Sequence, residues 1–388
     1  MANGSRFEFA TAGRIVFGRG SLKEAPGIAA GWGKRALVVT GGGAVDAAGL
    51  LEPLAEAGIS TRVLRVHGEP SLEVVTAGRD AALESGCEMV IGMGGGSVLD
   101  AAKAISALIT NPGDPFEYLE VVGRGRSIPN PAAPLLAIPT TAGTGTEVTR
   151  NAVITITDLK VKVSMRSALM LPRAALVDPE LTYSLPPAVT AATGMDALAQ
   201  LIEPYVSLRA NPLVDGLCLE GMRRAAGALR RAYADGRDSA AREDMSLASL
   251  SGGLALANGG LGAVHGFAAP LGGMFRAPHG ALCARLLAPV VRANARALRG
   301  RLPDSPVVER YRRVAQILTG NPGAAVEDGA AWLDELCAEM QIPRLAAYGV
   351  RREDFEVLVK NGAAASSMKA NPIVLTGEEL AEILEAAY

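Results

Sequence analysis

Histidine is scarce in this sequence, with only three among 388 residues: His67, His265 and His279. No Asp, Glu, Lys or Arg occurs from Ser246 to Phe275, a stretch long enough to span a bilayer. Eight glycines and Pro270 interrupt it, and a lipid-exposed helix cannot hide such a broken backbone. We therefore expect a buried core segment there and no membrane partner. His67 is expected to be a solvated loop residue.

The chain also lacks an excess of charge. Its 38 Lys and Arg against 40 Asp and Glu give a net charge of −2, which excludes a broad basic surface for nucleic acid. Aromatic residues make up only 4%, so aromatic-lined binding faces are not expected either. The 49% of hydrophobic residues, arranged periodically, exclude a disordered chain.

Cysteine pairing motifs are missing too. Cys87, Cys218, Cys283 and Cys337 lie far apart in apolar contexts, without a CxxC pair. We interpret them as buried free thiols, which fits a reducing cytoplasm. The N-terminus has no apolar signal-peptide core, and this agrees with a cytoplasmic location.

The first half alternates short apolar runs with helical patterns. Strands are predicted at 36–40, 61–66, 89–91 and 135–138, and helices at 44–57 and 72–85. This alternation predicts a parallel, doubly wound α/β sheet.

After residue 184 the pattern is helical throughout. Helices are predicted at 187–207, 211–234, 239–257, 280–298, 307–319, 323–340 and 376–387. We therefore predict an α/β domain at 1–183 and an all-helical domain at 184–388.

A glycine-rich turn follows the third predicted strand. Gly94, Gly95 and Gly96 precede Ser97, which opens a predicted helix at 98–109 with Asp100 at capping-box spacing. Glycines let backbone N–H groups approach an anion at a helix N-terminus, so a dinucleotide pyrophosphate is one candidate ligand. An ordinary strand–helix turn without a ligand is the alternative.

A threonine-rich segment follows the fourth predicted strand. Residues 139–149 hold five threonines, and their hydroxyls suit hydrogen bonding to a polar ligand. A flexible surface loop has the same composition. Ligands bind open α/β sheets at the carboxyl ends of the strands, however, where both of these turns lie.

Asp196 and Gln200 are four residues apart and share one helix face. Glycines and prolines between His265 and His279 allow their imidazoles to converge. One carboxylate and two imidazoles can hold Fe²⁺ or Zn²⁺, although polar residues in a glycine-rich core are the simpler explanation.

Five motifs together resemble the iron-containing (group III) alcohol dehydrogenases, in order and over nearly the whole chain. They are GGGSVLDAAKAI at 94–105, PTTAGTGTEVT at 139–149, LVDPELTYSLPPAVTAATGMDAL at 176–198, HGFAAPLGGMFRAPHG at 265–280 and NPIVLTGEELAEIL at 371–384. The resemblance implies that residues 1–183 form a Rossmann-like, dinucleotide-binding domain and residues 184–388 a helical, metal-binding and catalytic domain, with cofactor and metal meeting in the cleft between them. A homodimer is usual in the family.

The resemblance also implies site residues. NAD(P) contacts are expected at Gly41, Gly95, Gly96, Ser97, Asp100, Thr140, Thr141, Thr144, Lys162 and Leu181. Metal ligands are expected at Asp196, Gln200, His265 and His279, and Asp196, His265 and His279 are also expected to be catalytic through the metal. Candidates for the substrate side are Asn151, Gly259 and Arg276, of which Arg276 is alternatively a solvated or interdomain ion-pairing residue.

Two departures from the family pattern stand out. Gln200 occupies the position of a ligand histidine, and an amide oxygen is a weaker ligand, so either metal affinity falls or water takes the fourth position. Ala269 stands where many members carry a histidine for proton transfer, so that role is lost or falls to bound water.

Thr40 is followed by glycines and no carboxylate, which favours use of both NAD and NADP.

Three functions remain open at this point. The first is a metal-dependent NAD(P)H alcohol dehydrogenase or aldehyde reductase acting on a small alcohol or carbonyl compound. The second is a reductase of an anionic oxo-acid that works with weakly bound metal or none, like maleylacetate reductase. The third is a non-catalytic nucleotide-binding protein of the same fold.

Overall fold

The computed structural model describes residues 6–42, 47–159 and 161–388. By their internal contacts these residues divide into two compact units, one of residues 10–185 and one of residues 186–388 with the N-terminal segment. The predicted domain boundary between residues 183 and 184 stays a prediction.

The α/β unit is built on parallel strands with helices between them. Its strands are β1 (Ile15–Phe17), β2 (Arg35–Gly41), β3 (Ser60–Val66), β4 (Met89–Gly94), β5 (Leu135–Pro139), β6 (Asn151–Ile156), β7 (Val161–Arg166) and β8 (Ala174–Val177). Its helices are α1 (Ala25–Ala30), α2 (Ala48–Glu56), α3 (Leu72–Glu84) and α4 (Gly96–Thr110). The first positions of the predicted helix at 44–57 lie outside the described residues.

Six of these strands form one parallel sheet in the order β1-β8-β5-β4-β2-β3. The chain runs from β2 outward to β3 and then returns to β4 on the other side of β2. The carboxyl ends of β2 and β4 therefore flank a topological switch point, where open α/β sheets form their ligand crevice. β2, β4 and β5 are buried almost throughout, as expected for a sheet covered by helices on both faces.

Sequence analysis did not predict the short strands β1 and β8 or the separate antiparallel hairpin of β6 and β7. The predicted capping box of Ser97 and Asp100 was also wrong. Helix α4 starts two residues earlier with Gly95 as its N-cap, and the Asp100 carboxylate instead accepts a hydrogen bond from Val153 N, at 3.1 Å. Asp100 thereby ties α4 to β6.

The second unit is helical, and residues 186–388, all of which are described, contain no strand. Its helices are α5 (Pro187–Val206), α6 (Pro212–Ala234), α7 (Ser239–Gly259), α8 (Ala263–Met274), α9 (His279–Arg301), α10 (Pro306–Thr319), α11 (Val326–Glu339), α12 (Phe355–Ala364) and α13 (Gly377–Ala387). Helices α8 and α12 were not predicted.

The uncharged segment of the sequence forms the C-terminal part of α7 from Ser246 onward and the whole of α8, and its residues are largely buried within the helical unit. Among the described residues, no single helix is both long and apolar enough to cross a bilayer. α7 and α8 reach that threshold only as a pair, and the pair is bent by 99°.

Candidate active site

Helix α5 carries two buried polar side chains on one face. Asp196 and Gln200 are one turn apart and keep 1% and 3% of their surface exposed. Gln200 Nε2 donates a hydrogen bond to Asp196 Oδ2 at 3.0 Å. The other carboxylate oxygen, Oδ1, is buried without a hydrogen-bond partner among the described residues. A buried oxygen without a partner is costly, so this atom points to a missing ligand.

Two imidazoles converge on that oxygen. His265 lies in α8, and His279 is the first residue of α9. A short non-helical segment that contains Pro278 joins the two helices. Their Nε2 atoms are 3.3 Å and 3.8 Å from Asp196 Oδ1, and their ring centroids are 5.4 Å apart. The structure therefore brings together the three metal ligands implied by the family resemblance.

A fourth donor, not predicted from the sequence, completes the cluster. Cys283 lies one turn after His279 in α9, and its Sγ is 3.5 Å from His279 Nε2 and 3.8 Å from His265 Nε2. The four donor atoms, including the Asp196 oxygen, all lie within 4.8 Å of one another. Tetrahedral coordination with bonds of about 2.0–2.3 Å separates neighbouring donors by about 3.3–3.6 Å. The residues present therefore fit a divalent metal ion.

A buried carboxylate orients one of the imidazoles from behind. Glu203 Oε2 is 2.6 Å from His265 Nδ1, and Glu203 Oε1 accepts a hydrogen bond from Val264 N at 2.7 Å. A carboxylate on Nδ1 favours the tautomer that protonates this nitrogen and leaves Nε2 free to bind metal. Glu203 was also missed by sequence analysis, although it lies seven residues after Asp196 and therefore on the same face of α5.

The charges of the cluster shift the pKa values of its members. Burial alone would lower the His279 pKa, but Cys283 and Asp196 raise it to about 9. Burial also opposes protonation of His265, yet Cys283 and Glu203 raise its pKa well above the usual value. The Asp196 pKa is lowered, because the nearby histidines outweigh burial. Without metal, the imidazoles thus hold protons that a bound cation displaces.

In the α/β unit, the glycine turn and the threonine segment contact each other at the carboxyl ends of β4 and β5. A Cβ atom on Gly96 would lie 2.6 Å from Thr144 Cγ2, and one on Gly95 would lie 3.3 Å from Thr141 Cγ2. No described side chain caps the N-terminus of α4, and its first turn carries no acidic residue. This open helix end beside threonine hydroxyls fits the pyrophosphate of a dinucleotide.

A buried lysine fixes the threonine segment from behind. Lys103 Nζ donates to Thr146 O at 2.8 Å, to Thr149 Oγ1 at 2.9 Å and to Asn151 O at 2.8 Å. Burial lowers the Lys103 pKa to about 8 and raises that of the neighbouring Glu147 to about 7. This clamp spans α4, the threonine segment and β6.

The other predicted cofactor residues lie around the same strand ends. Gly41 ends β2, and Thr140 follows β5 and is buried. Lys162, on β7, forms an ion pair with Glu69 at 3.0 Å. Leu181 packs partly buried against the core on one side of the sheet. Their contacts with a cofactor stay predictions.

The predicted substrate residues differ in their surroundings. Asn151 begins β6, and its carbonyl accepts the bond from Lys103. Gly259 is packed closely against Val214, and its carbonyl accepts a hydrogen bond from Ser207 Oγ at 2.6 Å. Arg276 and Ala269 are exposed. The three substrate assignments stay predictions.

Comparison with known proteins identifies the enzyme class and the family of this chain. Residues 12–179 match iron-containing alcohol dehydrogenase, and residues 190–388 match the C-terminal part of the Fe-containing alcohol dehydrogenase family. Alcohol dehydrogenase 4 of Saccharomyces cerevisiae is 37% identical to this chain, and the aligned region covers 96% of each of the two proteins. The NAD-dependent methanol dehydrogenase of Bacillus methanolicus is 35% identical, over 96% of this chain and 97% of that protein.

A crystal structure of 1,3-propanediol oxidoreductase aligns with a TM-score of 0.90 at 34% identity, over 99% of this chain and 100% of that one. Together with the donor cluster, these matches define an oxidoreductase that acts on CH–OH groups and uses NAD(P) and a divalent metal. The chain belongs to the iron-containing alcohol dehydrogenase family. The predicted fold class and family are thereby confirmed.

Proposed function

We propose that this protein is an NAD(P)-dependent alcohol dehydrogenase that interconverts a small alcohol and its aldehyde or ketone by hydride transfer. The observation that carries the proposal is the convergence of Asp196, His265, His279 and Cys283 donor atoms within 4.8 Å. Relatives named as dehydrogenases of alcohols and diols favour this function over the metal-free reductase and over the non-catalytic protein.

The helical unit supplies the residues that activate the substrate oxygen. A divalent ion held there would act as a Lewis acid, which lowers the pKa of an alcohol or polarises a carbonyl. Asp196, His265 and His279 would hold the ion, and Glu203 keeps the His265 ring oriented through its contact of 2.6 Å. The protein itself thus provides orientation and negative charge, while hydride transfer is the chemistry of nicotinamide.

The α/β unit supplies cofactor binding. Gly95, Gly96 and Ser97 at the start of α4 would hold the pyrophosphate, with Thr140, Thr141 and Thr144 beside it. Lys162 and Leu181 would contact the ribose end, and Asp100 would support the turn. Strand β2 ends in Thr40-Gly41 without a carboxylate, so we propose that both NAD and NADP are accepted.

Two broader properties belong to the same proposal. All four cysteines are free, which supports function in a reducing compartment such as the cytoplasm. We also propose a homodimer, on the ground of the family resemblance, and light scattering of the purified protein tests it.

The test combines metal analysis with a substrate screen. Protein purified without chelator is assayed for Fe, Zn, Ni and Mn and then for NADH- and NADPH-linked turnover of aldehydes and oxo-acids. Asp196→Ala is expected to lose metal and turnover together while keeping NADH binding. The surface variant Glu309→Gln is the control, since Glu309 is exposed on α10. Full turnover by a protein that carries no metal would overturn the proposal.

A further inference from the structure

Cys283 is a buried thiol within a group of metal donors. It lies on α9 one turn after His279, so the two side chains project from the same face of the helix. Its Sγ approaches both imidazole Nε2 atoms, at 3.5 Å and 3.8 Å. These separations are close to the sulfur–nitrogen distance of a tetrahedral site, about 3.5 Å.

Gln200 stands at the position of the family's further ligand histidine, but its amide oxygen does not face the Asp196 carboxylate. Its amide nitrogen, not its oxygen, faces Asp196, at 3.0 Å from Oδ2. Its oxygen, which is buried without a hydrogen-bond partner among the described residues, lies 3.5 Å from the position that a Cβ on Gly252 would take, on the neighbouring helix α7. The hydrogen bond occupies one carboxylate oxygen, and it leaves Oδ1 facing the imidazoles.

We propose that Cys283, bound as the thiolate, is the fourth metal ligand, and that Gln200 is a positioning residue that orients Asp196. This inference rests on the proposed function, because it concerns the metal centre of that enzyme. On metal binding the protons held by the donor cluster pass to solvent, and the Cys283 sulfur replaces the missing histidine nitrogen. The donor set becomes one carboxylate, two imidazoles and one thiolate.

The nature of the metal follows from this donor set. Thiolate is a soft ligand and suits Zn²⁺ or Co²⁺ better than the harder amide oxygen does. We therefore expect a preference for Zn²⁺ over Fe²⁺ that is stronger in the wild-type protein than in Cys283→Ser.

Cobalt spectroscopy tests the ligand assignment directly. The Co²⁺-loaded wild-type protein is expected to show a thiolate-to-metal charge-transfer band in the near ultraviolet. Cys283→Ser should lose the band and bind Zn²⁺ about 100-fold more weakly. Loss of a residue that only supports a ligand weakens metal binding by about 10–100-fold, so loss of a ligand should cost at least the upper value. Cys218→Ala is the matched control, because Cys218 is a buried thiol of the same unit outside the donor cluster.

The Gln200 assignment has its own variant. Gln200→Leu removes the hydrogen bond to Asp196 but leaves the sulfur, so the band should persist while Zn²⁺ affinity falls about 10–100-fold. Loss of the band in Gln200→Leu together with an unchanged spectrum in Cys283→Ser would overturn both assignments.

X-ray absorption of the Zn²⁺-loaded wild-type protein decides the case even where a variant fails to fold. One sulfur scatterer at about 2.3 Å is expected, and a shell of nitrogen and oxygen alone overturns the inference. An active enzyme without sulfur coordination would refute the thiolate ligand and leave the proposed function intact. A sulfur-coordinated protein without NAD(P)H-linked turnover would support the thiolate ligand and refute the proposed function.

Discussion

The Glu203 carboxylate and the His265 imidazole form a buried contact of 2.6 Å between Oε2 and Nδ1. The second Glu203 oxygen holds the backbone N–H of Val264, the residue before that histidine. One side chain of α5 thus fixes both the ring and the backbone at the start of α8. Supporting contacts of this kind set the orientation and basicity of a metal-binding histidine.

Glu203→Gln should therefore weaken metal binding without removing a ligand. The amide still accepts from Val264 N, but its NH₂ group donates toward His265 Nδ1 and favours the tautomer with the proton on Nε2. Zn²⁺ affinity, measured by competition with a chromophoric chelator, should fall about 10–100-fold. Glu309→Gln serves as control, and equal affinity of all three proteins would refute this role.

Metal binding should depend on pH in a defined direction. The raised pKa of His279, about 9, means that this imidazole is protonated in the metal-free protein at pH 7, and His265 is shifted in the same direction. Zn²⁺ must displace these protons, so apparent affinity should rise from pH 6 toward pH 9. Calorimetry in two buffers of different ionisation enthalpy measures the protons released, and a buffer-independent heat would contradict the prediction.

The metal-free protein should show the opposite trend in stability. The His279 pKa is raised in the folded state above the unfolded value of about 6.5, so its stabilising effect is complete below that pH. The effect is then lost as the pH rises toward the folded pKa of about 9. Thermal unfolding of chelator-treated protein from pH 6 to 9 tests this, and a midpoint that rises with pH would count against it.

Gly96→Ala should weaken cofactor binding. The new Cβ would lie 2.6 Å from Thr144 Cγ2, so the threonine segment must move away from the helix end. NADH affinity, followed by cofactor fluorescence, should fall about tenfold or more, which corresponds to about 1.4 kcal/mol. Thr144→Ser removes the clashing methyl group and should restore part of the loss in the double variant.

Gly227→Ala is the matched control for that experiment, because Gly227 lies in α6 with no heavy atom near the position of a Cβ within the described structure. Equal NADH affinity of Gly96→Ala and wild type would show that the glycine turn is not part of the nucleotide site.

Lys103→Met should destabilise the α/β unit. The change leaves the buried carbonyl of Thr146 and the partly buried carbonyl of Asn151 without their charged donor, at a cost of about 3 kcal/mol. Trp32 and Trp332 are the two tryptophans of the chain, one in each unit. In a Trp332→Phe background, urea unfolding followed by Trp32 fluorescence reports on the α/β unit alone. Lys34→Met, an exposed change in the same unit, should have little effect.

The alternation of strands and helices made the sheet predictable, because β2, β3, β4 and β5 are apolar or alternating runs that end in turn residues. β1 and β8, with three and four residues, are too short to give such a signal. Helix α8 was missed because Pro270 and its glycines read as helix breakers. Burial of its apolar side chains in the helical unit outweighs that local tendency.

The site was predictable where the spacing was simple. Asp196 and Gln200 follow from one helical turn, and the same rule applied once more along α5 reaches Glu203. Cys283 was hidden by its apolar neighbours, since a cysteine in such a context is usually an inert core residue. The one-turn spacing after His279 was the available signal, but only the converging helices show that both side chains reach Asp196.

The donor set has a consequence for the charge of the metal centre. With Cys283 bound as thiolate, two anionic ligands and two neutral imidazoles cancel the charge of a divalent ion, whereas a third imidazole in place of sulfur would leave one positive charge. A carboxylate or phosphonate substrate therefore gains no Coulomb attraction from the centre itself. The binding of uncharged alcohols and aldehydes does not depend on that attraction. Replacing one imidazole ligand by a thiolate would therefore favour uncharged substrates over anionic ones.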